Sequence, residues 1–238
     1  MPNYFTAVMD DSPWGYWRLG ESSGTSAADS SGNSRTGTIS ASGVTYSQTG
    51  AIKADPNTAF LFGSSAGSVT LPTSNPFTGS SAWSMECWFK VAALPGSGVF
   101  WNMIRLGNPS GGAGASSTVY LTGNFSGEVA WDDQSASILY GTPPSTNTYH
   151  HIVVTYAGGS NGTVTLYFDG SSVGTTTATM SLPSSTAPVV ANDIAGDLDE
   201  VALYTTSLSS TRVTAHYNAG IATLAYKPVS DGMGGVFS

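Results

Sequence analysis

Apolar residues in this chain come in short runs, many alternating with small polar residues, and glycine, serine, asparagine and aspartate separate the runs. Alternation at period two predicts strands buried on one face, and the breaks predict turns. A turn at Asp10, Asp11, Ser12 and Pro13 precedes a first strand at Tyr16, Trp17, Arg18 and Leu19. Residues 59–63 and 68–72 read as two arms of a hairpin. Strands follow at 82–91, 99–106, 117–121, 127–131, 136–140, 149–156 and 163–168. Asp169-Gly170 is a tight turn into a strand at 172–174, and a short strand lies at 189–191. A last strand, after a glycine turn, carries Asp197, Asp199 and Glu200.

Helical spacing is read at one place, residues 209–219. Ser209 is placed to cap it, Val213 and Tyr217 share a face at i,i+4, and Gly220 supplies the stop. The chain shows no fixed-period repeat and no splitting linker, so residues 14–225 are expected to form one domain. Residues 1–13 form an aromatic-rich segment, a candidate anchor. Residues 226–238 have no periodicity and read either as a frayed end or as an arm docking on a neighbouring subunit.

Composition narrows the classes. The 238 residues carry a net charge of -8 with only 7 Lys and Arg, too few for a basic patch, so a nucleic-acid partner is not expected. Cys87 is the one cysteine, which excludes an internal disulfide and a cysteine-based zinc site. Its strand context makes it a small core side chain. The start has no basic region followed by an apolar run, and no stretch is apolar and long enough to cross a bilayer, so neither a signal peptide nor membrane insertion is expected.

Four segments, in order, carry a family resemblance. They are Tyr16-Trp17-Arg18-Leu19-Gly20-Glu21 with the turn at 28–33; Ala59-Phe60-Leu61-Phe62-Gly63 with 69–72 and Trp83-Ser84-Met85-Glu86-Cys87-Trp88-Phe89; Tyr149-His150-His151-Ile152-Val153-Val154 with Leu166-Tyr167-Phe168-Asp169-Gly170; and Gly196-Asp197-Leu198-Asp199-Glu200-Val201-Ala202-Leu203-Tyr204. Together they resemble the laminin-G-like jelly roll of the concanavalin A-like lectin/glucanase superfamily. The resemblance implies an all-β fold: a two-sheet antiparallel β-sandwich with one short C-terminal helix. The phrasing of residues 7–21 resembles virion proteins of tailed bacteriophages. That implies a non-enzymatic module in the virion, as capsid decoration or tail-associated protein. Its partners would be other virion proteins, further copies of itself and a cell-surface glycan. The other reading is a secreted lectin domain or a glycoside hydrolase of the same superfamily.

Three sets of residues are candidates for chemistry. A retaining glycosidase needs two carboxyls about 5 Å apart. Asp197, Asp199 and Glu200 lack a glutamate in the family's nucleophile place, and adjacent strand residues face opposite ways, so hydrolysis is not expected. Calcium takes oxygen ligands, and Asp29, Asn33, Asp197 and Asp199 are the candidate set; the alternative is an Asx turn at 29–33 that binds nothing. Sugar rings stack on exposed aromatics, and Trp101, Trp131 and Tyr140, beside Asp132, Asp133 and Gln134, are candidates for a glycan; the alternative is core packing. His150 and His151 face opposite ways on one strand, which is poor geometry for a shared metal.

Overall fold

A computed structural model describes residues 3–63 and 66–223. In chain order its elements are α1 (Tyr4–Asp10), β1 (Gly15–Trp17), β2 (Ser26–Ala27), β3 (Gly37–Ile39), β4 (Val44–Thr49), β5 (Thr58–Phe62), β6 (Val69–Thr70), β7 (Trp83–Lys90), β8 (Phe100–Gly107), β9 (Ser116–Thr122), β10 (Glu128–Asp132), β11 (Ser137–Tyr140), β12 (His150–Tyr156), β13 (Gly162–Phe168), β14 (Ser171–Ala178), β15 (Val189–Asn192), β16 (Gly196–Tyr204) and α2 (Ser210–Ile221). They form two antiparallel sheets. One runs β14-β13-β12-β7-β16-β5-β4 with β1 also on β16; the other runs β11-β10-β9-β8-β15-β6-β3-β2.

The sheets face one another across an apolar core. On β7 that core takes Trp83, Met85, Cys87 and Phe89, while Trp88 faces a second apolar layer on the far side of the sheet. This is the period-two rule with both faces covered, and it explains why β7 is almost wholly buried. The second layer lies under α1 and α2, which bury Tyr4, Ala7, Val8 and Val213 against the sheet. Cys87 is buried and unpaired, and burial, then the charges of Glu86 and Asp199, push its thiol well above the usual range.

Two expectations are corrected. The sandwich carries an N-terminal helix as well as the C-terminal one: Asn3 caps α1 by accepting from the Thr6 N–H at 2.8 Å. Residues 59–63 and 68–72 are not a hairpin. β5 pairs with β4 and β16 in one sheet, and β6 pairs with β3 and β15 in the other. Phe60, Phe62 and Val69 fill the same core from opposite sides. The proposed arm at 226–238 lies outside the described residues.

Candidate functional site

The two outer faces of the sandwich differ. Helices cover the first sheet, while the second sheet's outer face forms a groove of about 320 Å³ across β8, β9 and β10. Alternation decides which residues line it. On β9, Ser116, Thr118 and Tyr120 face the groove, while Val119 and Leu121 face the core. On β10, Asp132 faces out and Val129 and Trp131 face in. On β8 the alternation is broken. A register shift between Asn102 and Ile104 lets Met103 and Ile104 both enter the core, so Asn102 and Arg105, three apart, share the groove. Rows of partners then cross the face: Arg105 opposite Thr118 opposite Asp132, and Asn102 opposite Tyr120 opposite Ala130.

The groove mixes an aromatic platform with polar groups. Phe100 is 44% exposed and meets Tyr120 edge-on at 5.7 Å. Gln134 closes one end, its Nε2 donating to the Pro109 carbonyl at 2.6 Å and to Ser116 Oγ at 2.9 Å. Asp132 Oδ1 accepts from the Gln134 N–H at 3.2 Å. Burial, and then the Asp132 charge, push the Tyr120 hydroxyl well up, so it stays a donor beside that carboxylate. The Arg105 Nε–H is buried without a hydrogen-bond partner among the described residues.

Of the glycan candidates, only Asp132 and its neighbour Gln134 line this groove. Trp131 is fully buried and donates its Nε1–H to Ser117 Oγ at 2.7 Å, so it is a core residue and cannot stack on a sugar. Trp101 packs against the inter-sheet core, and Tyr140 lies 5.1 Å from the Phe168 ring. Asp133 is buried and accepts the Ser135 and Ala136 N–H groups at 2.8 and 2.6 Å, shaping the β10–β11 turn. Phe100, Asn102 and Arg105 were missed; they stand beside Trp101 in sequence but on the opposite face, and the bulge at Met103 hides the parity.

The four calcium candidates do not fit one cradle. Asp29 uses both oxygens on backbone amides: Oδ1 accepts from Tyr16 and Ser31, at 3.1 and 2.9 Å, and Oδ2 from Arg35 at 2.8 Å. Burial pushes that carboxyl up, and the bonds from Ser31, Arg35 and Tyr16 outweigh it and hold it below its usual range. This is the Asx-turn alternative. Asn33 turns its amide to the Pro13 and Trp14 carbonyls. Asp197 pairs with Lys90 Nζ at 2.5 Å, and Asp199 accepts the Ala51 N–H at 2.7 Å. Among the described residues no three His, Cys, Asp or Glu gather to hold a metal.

The acids of β16 do not form a glycosidase pair. Asp197, Asp199 and Glu200 are all buried. Glu200, in a left-handed conformation at φ 54°, takes the Arg18 guanidinium at 2.8 Å and the Tyr16 hydroxyl. Burial, then the Glu200 charge, push the Asp199 carboxyl well up.

Two further networks are structural in form. Glu86, fully buried, accepts from His151 Nε2 and His216 Nδ1, both at 3.0 Å, and from the Tyr204 hydroxyl. His216 Nε2 reaches on to Asp11 Oδ2 at 2.8 Å, so the chain from Glu86 to Asp11 ties β7 to α2 and to the end of α1. His150 sits between Asp169 Oδ2 at 2.8 Å and Ser145 Oγ at 2.9 Å, the order of a hydrolase triad. Its Nε2 also lies 3.2 Å from the Ser145 carbonyl oxygen. The ring therefore pins the loop before β12 to the turn after β13.

Residues 62–214 match the laminin G family described as the concanavalin A-like lectin/glucanases superfamily. Among solved structures, the binding domain of Paraclostridial Mosquitocidal Protein 1 is similar at TM-score 0.69 and 15% identity, over 89% of this chain and 53% of that one. A botulinum neurotoxin serotype D ligand binding domain, solved with N-acetylneuraminic acid, is similar at TM-score 0.65 and 15% identity, over 91% and 52%. A Trypanosoma rangeli sialidase is similar at TM-score 0.63 and 12% identity, over 87% and 32%. The chain thus spans about half of the toxin domains and a third of the sialidase. No curated protein sequence matches it.

Proposed function

The chain belongs to the concanavalin A-like lectin/glucanase superfamily, and from that premise we propose that it is a non-enzymatic glycan-binding module, carried on the virion of a tailed phage. The observation that carries the binding reading is the groove on the second sheet, where an exposed phenyl ring stands among amides, hydroxyls, the Asp132 carboxylate and one guanidinium. Saccharides are held by such a pairing, the ring taking an apolar sugar face and the polar groups taking hydroxyls. The toxin binding domains support it, one of them solved with a sugar acid bound. The burial of all three β16 acids supports the non-enzymatic part.

The full chain on a panel of immobilised glycans tests the binding reading. One saccharide class is expected to bind, and Thr118→Trp, which fills the middle of the groove, is expected to abolish it with the melting temperature kept. A blank panel removes the reading, and release of reducing ends from a bound glycan puts the hydrolase in its place.

The virion reading rests on the resemblance of residues 7–21. Quantitative mass spectrometry of gradient-purified particles tests it. A fixed high ratio to the major capsid protein indicates decoration, a few copies a tail role, and absence from particles excludes both.

A further inference from the structure

Among the described residues, the one cation lining the groove, Arg105, has a buried donor with no acceptor. Arg18 pairs with Asp55 and Glu200, Arg212 pairs with Asp11, and Arg35 lies over Trp14 with Nη1 on the Trp14 carbonyl. Arg105 has its Nε–H out of solvent and unbonded. Burial pushes its guanidinium down and Asp193 pulls it back up, and it stays a cation because an arginine starts so far above neutrality. The nearby acids are turned elsewhere: Asp132 to the Gln134 N–H, and Asp193 to the Asn192 amide at 2.7 Å.

A guanidinium donor held out of water without an acceptor is destabilising, and a ligand that supplies the acceptor removes that cost. The planar fork of arginine fits a carboxylate through two parallel N–H···O bonds, which a sugar hydroxyl cannot reproduce. Phe100 stands on the same face four rows along, opposite Thr122 where Arg105 is opposite Thr118, offering its ring to a sugar of the glycan that carries the carboxylate.

We propose that the groove selects saccharides bearing a carboxylate, a sialic or uronic acid, with the carboxylate on Arg105 and the sugar ring over Phe100. The proposal rests on the glycan-binding reading and narrows it. A neutral sugar leaves Arg105 unpaired, so discrimination comes from the group left unsatisfied as much as from the bond gained.

The test uses the full chain and three probes by calorimetry: 3′-sialyllactose, an oligogalacturonate and lactose. One of the two acidic probes is expected to bind at least about tenfold more tightly than lactose. Arg105→Gln is expected to erase that preference, Arg105→Lys to restore part of it, and Lys53→Gln, in the loop between β4 and β5 and away from the groove, to leave it. If Arg105→Gln fails to fold, the Arg105 Nε–H resonance of the unaltered chain, followed by NMR, gives the same answer: it shifts with an acidic probe and stays still with lactose. Lactose binding as tightly as the acidic probes, or a silent Nε–H, overturns the selectivity and leaves the glycan reading standing. No binding by any probe, together with a blank glycan panel, takes down both.

Discussion

Glu86 shows how much one side chain can hold. Its two oxygens receive two imidazoles and a phenol in a space closed to water. A buried carboxylate is costly alone, and here burial does push its pKa up, but the His216 charge and the bonds from His151 and His216 bring it below the usual range. Removing the carboxylate from such a cluster leaves its buried partners unanswered, so Glu86→Gln is expected to cost about 3–5 kcal/mol in urea unfolding. The pH dependence has two sides. His216 is pushed down by burial and raised more by Glu86 and Asp11, ending above its ordinary 6.5. Its contribution is therefore complete below pH 6.5 and lost as pH rises through the raised value. Glu86 contributes fully above its ordinary 4.5 and loses that contribution as pH falls. Melting temperature against pH is expected to show a plateau between these limits, and His216→Gln to flatten its alkaline side.

At the scale of elements, α1 and α2 exist because the first sheet gives them a surface. Seven residues are too few for a stable helix in water, so α1 depends on its cap and on the face made by Tyr4, Ala7 and Val8. Asn3→Ala is expected to cost about 1 kcal/mol, read by thermal unfolding. α2 lies so close to β7 that a Cβ on Gly220 would stand 2.2 Å from the Trp88 ring. Gly220→Ala is expected to cost about 1–3 kcal/mol and to disturb the Trp88–Tyr217 stack, seen as a change in near-ultraviolet circular dichroism. The elements legible in the sequence are those with strong local signals: β7, β12, β13 and β16 as apolar or aromatic runs, and α2 through Ser209. β4 was not legible because it is an edge strand whose buried positions are only half covered. α1 was hidden by aromatics that read equally well as strand, and the pairing of 59–63 with 68–72 by a turn signal that in fact marks a crossing between sheets. At the groove the failure was one of parity. Trp101 and Trp131 are the conspicuous residues, yet Phe100, Asn102 and Asp132 beside them face out.

Over the whole molecule, the two sheets divide the work. The first is covered on both faces, by the core and by helices, and holds most of the buried ionisable side chains. Among the described residues the second is covered on one face only, and its other face carries the groove. Exchanges confined to an exposed face rarely move stability by more than about 0.5 kcal/mol. Phe100→Ser is therefore expected to leave the unfolding midpoint nearly unchanged while removing glycan binding, a separation that Trp131→Ala, in the core, is expected not to show.

The bulge at Met103 gives that division a sharper edge. Along β8, β9 and β10 two messages are interleaved letter by letter, one spelling the core and one spelling the groove. Met103 is the extra letter that lets Arg105 belong to the second message. Closing the bulge with Met103 still in the chain would post the guanidinium to the interior and the aliphatic Ile104 to the groove, whereas deleting Met103 would leave Asn102, Ile104 and Arg105 in strict alternation with Arg105 still on the groove. Any other exchange on the groove face rewrites what the surface recognises and leaves the sandwich that displays it as it was.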